Sequence, residues 1–281
     1  MGVSSSMAVT LLNFDDTLTM QEELRRFIHS QVDLRDLRGT RLFCDQATLS
    51  QIAGRIRGKK GIFFLGSGDY HYVSYLLMQT VDRPFTLVLF DNHADIKFSP
   101  AFAFLSCSSW VAWALGLPNL KKAVIIGARP DSFIGVDPGL LRKVVYVPYK
   151  QVRGELCRLD RGTRPGRPPR RLRGPEDTFS RIITLIPTRS VYISVDKDVL
   201  HPRDAITNWE QGEMSLADLL LLLQAISRTR EVCGVDICGE ADLHPLDRLR
   251  PAGREAIRKN TQANVRIIQA LLQTRTFKQV S

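Results

Sequence analysis

No apolar run in this 281-residue chain approaches the length, about 20 residues, that spans a bilayer. Met1-Gly2-Val3-Ser4-Ser5-Ser6 lacks the basic region and apolar core of a secretory signal. It fits a loose myristoylation pattern, although Met7 offers another start. Cysteine is sparse: five residues, odd in number, widely spaced and without a Cys-x-x-Cys pair. Cys233 and Cys238 are too far apart for the usual zinc knuckle. Free thiols in a reducing, cytoplasmic setting are therefore expected, with no membrane as partner. Gly66-Ser67-Gly68 has no third glycine at dinucleotide spacing, and Gly54 to Lys60 is one residue short of a phosphate loop.

Aromatic residues are missing where nucleic-acid binding would need them. The net charge is +10, but seven arginines fall between Arg158 and Arg173, among prolines and glycines. That composition cannot form a packed element and reads as a basic, exposed loop over about 154–175. No aromatic side chain interleaves with the arginines to stack on bases, so nucleic acid is disfavoured as a partner.

The stretch around which the chain is organised is Leu87-Val88-Leu89-Phe90-Asp91-Asn92-His93-Ala94-Asp95. From Phe85 to Phe90 only Thr86 breaks an apolar run, as in a strand buried on both faces. Polarity then flips, and Asp91, His93 and Asp95 alternate with Asn92 and Ala94. In extended backbone, residues two apart share a face, so two carboxylates and an imidazole would converge where the strand ends. Such a group is costly to bury unless a cation joins it.

Similar strand ends recur. Gly61 to Leu65 runs into Gly66-Ser67-Gly68-Asp69-Tyr70-His71, and Val191 to Val195 into Asp196-Lys197-Asp198. Val232 to Ile237 runs into Cys238-Gly239-Glu240. Further strands are expected at Ala8 to Phe14, Arg41 to Cys44, Ala123 to Ile126 and Val144 to Val147. Helices are expected at Gln21 to Gln31, Ala47 to Ile56, Trp110 to Leu115, Phe179 to Leu185, after Ser215 and at Arg254 to Leu272. About eight strands alternating with helices imply an α/β fold with a mostly parallel sheet. Ligands of such sheets sit at the carboxyl ends of strands, where these polar clusters lie. Asp15-Asp16-Thr17 falls out of register for a phosphatase nucleophile loop and reads as a turn.

Asp91-Asn92-His93-Ala94-Asp95 resembles the Asp-x-His-x-Asp motif of the ureohydrolases, the arginase and agmatinase family. Ser194-Val195-Asp196-Lys197-Asp198 resembles their Ser-x-Asp-x-Asp motif, and Gly66 to His71 their Gly-Gly-Asp-His element with one residue added. Gly234-Val235-Asp236-Ile237 is similar to the strand carrying their late acidic residue. The resemblance implies a divergent arginase-like member. It implies a single domain over residues 1–281, a three-layer α/β/α sandwich on an eight-stranded, mostly parallel sheet. It also implies two Mn²⁺ per chain. One ion would be held by His71, Asp91, Asp95 and Asp196, the other by Asp91, His93, Asp196 and Asp198. Oxygen-rich donors with two imidazoles suit Mn²⁺.

The implied activity is hydrolysis of a C–N bond in an amidino, guanidino or amide-like small molecule. Arginine is disfavoured: the family's guanidinium-binding glutamate aligns with Gly239, and Glu240 is one residue off. With no histidine between His93 and His201, the proton would come from Asp95, a water or Glu240. Trp209, Glu210 and Glu213 are candidate substrate contacts. An alternative is a metal-binding arginase-like protein with a binding or regulatory role and no turnover. A deacetylase-like single-Zn²⁺ site is disfavoured by Asp95, Asp198 and His71. A homo-oligomer is compatible with the sequence but not required by it.

Overall fold

A computed structural model describes residues 7–97, 104–152 and 175–276. The arginine-rich stretch lies outside these, apart from its last residue, and so do Met1 to Ser6. The ten strands among the described residues are β1 (Val9–Asn13), β2 (Ser30–Asp33), β3 (Phe43–Asp45), β4 (Ile62–Gly66), β5 (Phe85–Phe90), β6 (Phe104–Ser106), β7 (Leu120–Ile126), β8 (Val144–Val147), β9 (Ser190–Asp196) and β10 (Glu231–Cys238). Eight of them form one sheet in the order β2-β1-β4-β10-β9-β5-β7-β8. Every pairing in it is parallel. β3 and β6 make a separate antiparallel ribbon.

The expected number of strands is met by a different set. Arg41 to Cys44 contributes β3, which leaves the main sheet for the ribbon. Gln21 to Gln31 is not one helix: Glu22–Arg25 is a single turn, and the segment ends in the edge strand β2. Only Val32 of β2 is buried, so this strand has no apolar run to betray it. An edge strand covers one face only and can stay polar on the other.

Alternation along the strands builds the three layers. On one face, Val9, Leu11, Phe64, Val88, Phe90, Ile193 and Val195 pack with Leu219, Leu223 and Ile226 of helix Leu216–Thr229 and Ile267 and Ile268 of helix Pro251–Thr276. On the other, Leu12, Phe63, Leu65, Leu87 and Leu89 pack with Ile52 of helix Gln46–Ile56, Leu76 of Val73–Met78 and Trp110 of Trp110–Ala114. Burying each such side chain contributes about 1.5–3 kcal/mol before entropy is charged against it. Ser215 caps Leu216–Thr229 as the sequence suggests, its Oγ accepting from the Asp218 N–H at 3.1 Å. Because the strands run parallel, the ends of β4, β10, β9 and β5 lie side by side on one edge of the sheet.

Candidate metal centre

Each polar residue at this edge is placed by the turn that ends its strand. β4 stops at Gly66, and Ser67 caps a short turn over Gly68–Tyr70 that delivers His71. A Cβ at Gly68 would lie 2.9 Å from Asp196 Oδ2, so the turn approaches β9 only because the residue is glycine. β5 ends at Phe90, and the residues beyond it bend rather than continue the strand. The His93 N–H donates to Asp91 Oδ1 at 2.6 Å, and Asp95 has a φ of 48°. Asp91, His93 and Asp95 therefore converge as expected, by turning and not by alternation. After β9, the Asp198 N–H donates to Asp196 Oδ1 at 2.9 Å. The Asn92 N–H donates to Asp198 Oδ1 at 2.9 Å and ties the two loops together.

The six expected ligands come together in two groups that share Asp91. In one, His71 Nδ1 lies 3.1 Å from Asp95 Oδ2, 3.4 Å from Asp91 Oδ2 and 3.5 Å from Asp196 Oδ2. In the other, His93 Nδ1 lies 2.7 Å from Asp198 Oδ2 and 3.7 Å from Asp91 Oδ1. Donor atoms of His71, Asp91 and Asp95 lie within 4.8 Å of one another, as do those of Asp91, His93 and Asp198.

The tautomer of His71 is set from behind. Ser194 Oγ donates to Asp236 Oδ1 at 2.6 Å, which spends its proton. At 2.8 Å from His71 Nε2, the same oxygen can then only accept. Nε2 carries a hydrogen, and Nδ1 faces the three carboxylates, where it can hold a proton or give it up to bind a cation. Fixing a ligand imidazole through its second nitrogen is the usual device of metal sites. His71 and Asp91 are each 1 % exposed, yet His71 Nδ1 and Asp91 Oδ2 have no hydrogen-bond partner among the described residues. Buried polar atoms left unmatched, amid four carboxylates, are what a cation would satisfy. The residues present fit divalent ions.

The electrostatics of the metal-free chain agree. Burial and the nearby Asp198 carboxylate push the Asp196 pKa up to about 7. Burial also raises Asp91, helped by repulsion from Asp198, Asp95 and Asp196. Burial opposes charge on both imidazoles, but the carboxylates win and raise each to about 9: Asp95 chiefly for His71, Asp198 for His93. Protons thus take the place of cations.

Three residues that the sequence reading passed over belong here. Trp110 Nε1 donates to Asp95 Oδ2 at 2.7 Å. Asp69 turns away from the ligands, accepting from Trp209 Nε1 at 3.0 Å and pairing with Arg41 Nε at 2.8 Å. Cys238 Sγ donates to Asp196 Oδ2 at 3.2 Å, and burial with the neighbouring Asp196 and Asp236 carboxylates raises its pKa. Only its place two residues after Asp236 hinted at this, and β10 had to be set beside β9 to show it.

Glu240, the other expected proton donor, is engaged away from the ligands. Its Oε1 pairs with the fully buried Lys197 and accepts from Asn264 Nδ2 at 2.7 Å, and its Oε2 accepts from Gln21 Nε2 at 2.8 Å. Both oxygens are engaged, and Glu240 is absent from the lining of the cavity over the ligands. That cavity, about 180 Å³, is lined by Asp91, His93, Asp95, Asp196, Asp198 and Trp209, with Lys97, Cys107, Ser108 and Ser132 at its walls. Of the three substrate contacts expected, Trp209 is in place. Glu210 pairs with Arg129 and, with Glu213, lines a separate groove.

No family model matches the chain. An uncharacterised protein of Thermotoga maritima is 30 % identical over 250 residues, spanning 89 % of this chain and 82 % of the relative. Among solved structures, agmatine ureohydrolase of Thermoplasma volcanium superposes with a TM-score of 0.64 at 16 % identity, covering 98 % of this chain and 92 % of that one. Formimidoylglutamase of Bacillus subtilis gives 0.62 at 12 % identity, with 94 % and 86 % covered. Proclavaminate amidino hydrolase of Streptomyces clavuligerus gives 0.60 at 16 % identity, with 95 % and 93 % covered. The chain therefore belongs to one family with the Thermotoga maritima protein, and its fold is that of the ureohydrolases.

Proposed function

We propose that the protein is a dinuclear metal-dependent hydrolase that cleaves a C–N bond in an amidino, guanidino or amide-like small molecule other than arginine. The observation that carries this reading is the pair of donor groups sharing Asp91, with His71 Nδ1 and Asp91 Oδ2 buried and unmatched. His71, Asp91, Asp95 and Asp196 would hold one ion, and Asp91, His93, Asp196 and Asp198 the other. Two divalent ions, Mn²⁺ by donor chemistry, would supply the positive charge that acidifies a water and stabilises charge developing on the substrate.

The chain supplies the rest. Ser194 and Asp236 hold the His71 ring, and the Asn92 N–H holds the Asp198 carboxylate. Trp209 forms one wall of the cavity, its indole set edge-on to the His93 ring at 5.9 Å. Asp95 lines the cavity and accepts from the Trp110 N–H, which supports the reading that it carries a proton to a leaving nitrogen. With Glu240 tied to Lys197, no other acid from the sequence reading fills that role.

One observation supports the exclusion of arginine. A side chain at position 239 would overlap Asp196 Oδ1, so a guanidinium-binding glutamate has no room there. The test is a panel of guanidino, amidino, formimino and acylamino compounds, assayed with Mn²⁺-loaded protein beside Asp196→Ala. Turnover of at least one compound, lost in the variant, is expected. Urea release from arginine at arginase level would refute the substrate class. Two bound ions with no turnover of any compound would favour the second reading, a binding role. The one observation behind that alternative is that His93 is the sole histidine lining the cavity among the described residues.

A further inference from the structure

β10 and β9 run side by side with Asp236 level with Ser194 and Cys238 level with Asp196. Residues two apart share a face, so these four side chains form two rungs on the same side of the sheet. The lower rung is the Ser194 to Asp236 hydrogen bond, and the upper is the Cys238 to Asp196 contact. His71 spans both, with Nε2 at 2.8 Å from Ser194 Oγ and the unmatched Nδ1 at 3.5 Å from Asp196 Oδ2. Cys238 Sγ and His71 Nδ1 thus approach one carboxylate oxygen. Donor atoms of His71, Asp196 and Cys238 lie within 4.8 Å of one another, and all three side chains are buried.

Other thiols are placed differently. Cys233 Sγ donates to the Val191 carbonyl at 3.1 Å, and Cys44 is buried in the β3–β6 ribbon. Cys107 lines the cavity wall but is not in any ligand group found among the described residues. Cys238 alone among the described cysteines is fully buried and lies in a ligand group, with Asp196 and with His71, whose Nδ1 has no hydrogen-bond partner among the described residues.

We infer that Cys238 is a sulfur donor to the ion held by His71, Asp91, Asp95 and Asp196, making that site a mixed nitrogen, oxygen and sulfur site beside an all-nitrogen-and-oxygen neighbour. The inference rests on the dinuclear reading. A cation there would take the Cys238 sulfur beside the His71 nitrogen and the carboxylate oxygens, a donor mix that ions such as Zn²⁺ accept. The thiol gives its proton to solvent on binding, as coordinating thiols do. Sulfur tilts this one position toward softer ions such as Zn²⁺ and Co²⁺, so the two positions differ in metal preference.

The test is to load the full chain with Co²⁺, count the bound metal and record its near-ultraviolet spectrum. Two Co²⁺ with a thiolate-to-cobalt charge-transfer band are expected in the wild type. The band should vanish in Cys238→Ser and persist in Cys107→Ser. Two bound Co²⁺ without the band would overturn the sulfur ligand and leave the dinuclear reading standing. So would a band that survives in Cys238→Ser. A chain that binds no Co²⁺ would overturn both.

Discussion

Asp196 and Lys197 are adjacent in sequence and both buried, yet they enter opposite kinds of charged assembly. Lys197 turns to Glu240, whose two oxygens are also met by the amides of Gln21 and Asn264. Opposite charges cancel there, and the carboxylate is fully matched within the chain. Asp196 turns the other way, into a group of four carboxylates and two imidazoles with unmatched atoms. In the first assembly charge is balanced as the chain folds, although Asn264 Oδ1 has no hydrogen-bond partner among the described residues. The second is short of positive charge, and only protons or cations complete it. Burial alone therefore does not distinguish a structural charge from a functional one; the balance of charge around it does.

The contrast is broken most severely by removing half of the complete pair. Lys197→Met or Glu240→Ala leaves an uncompensated buried charge and should cost about 3–5 kcal/mol in a urea-unfolding titration. The double variant Lys197→Met with Glu240→Leu should recover most of it. A single variant with wild-type stability would show that the pair is not structural.

Next in size is the dependence on pH. The metal-free chain holds Asp196 at about 7 against an ordinary value near 4, and His71 and His93 at about 9 against 6.5. Groups raised on folding stabilise below their unfolded pKa and lose that contribution as pH rises through the folded one. The melting temperature of the metal-free chain should therefore fall from about pH 5 to about pH 9. With Mn²⁺ the trend should reverse, because protons compete with the ion. A metal-free melting temperature that rises across this range would contradict the charge balance described here.

Ser194→Ala frees the His71 ring from behind and should weaken metal binding about 10–100-fold with the fold intact. Isothermal titration with Mn²⁺ measures this, and unchanged affinity would deny Ser194 its positioning role. The smallest effect on stability is expected from Asp91→Asn, which replaces a carboxyl whose ionisation the buried site resists. It should stabilise the metal-free chain by about 1 kcal/mol, as relieving strain at a functional site often does. It should also abolish the further stabilisation that Mn²⁺ gives the wild type.

The sequence made visible what is local. Buried strands ending in alternating carboxylates located Asp91, His93, Asp95, Asp196 and Asp198, because polarity and period are properties of a few adjacent residues. His71, at the end of β4, became a ligand candidate only through the resemblance of Gly66 to His71 to the Gly-Gly-Asp-His element. What escaped depends on partners distant in sequence. Glu240 looked available because Lys197, 43 residues earlier, cannot be paired with it until β9 and β10 are neighbours. Cys238 looked like an ordinary thiol for the same reason. β2 hid as part of a helix, since an edge strand with one buried residue carries no hydrophobic signature.

The most direct test of the proposed dinuclear reading is a metal count. The chain and its Asp91→Ala variant are dialysed against Mn²⁺, freed of excess metal and analysed for manganese per chain. Two ions in the wild type and none in the variant are predicted, because Asp91 belongs to both donor groups. One ion or none in the wild type, or two in the variant, would contradict it.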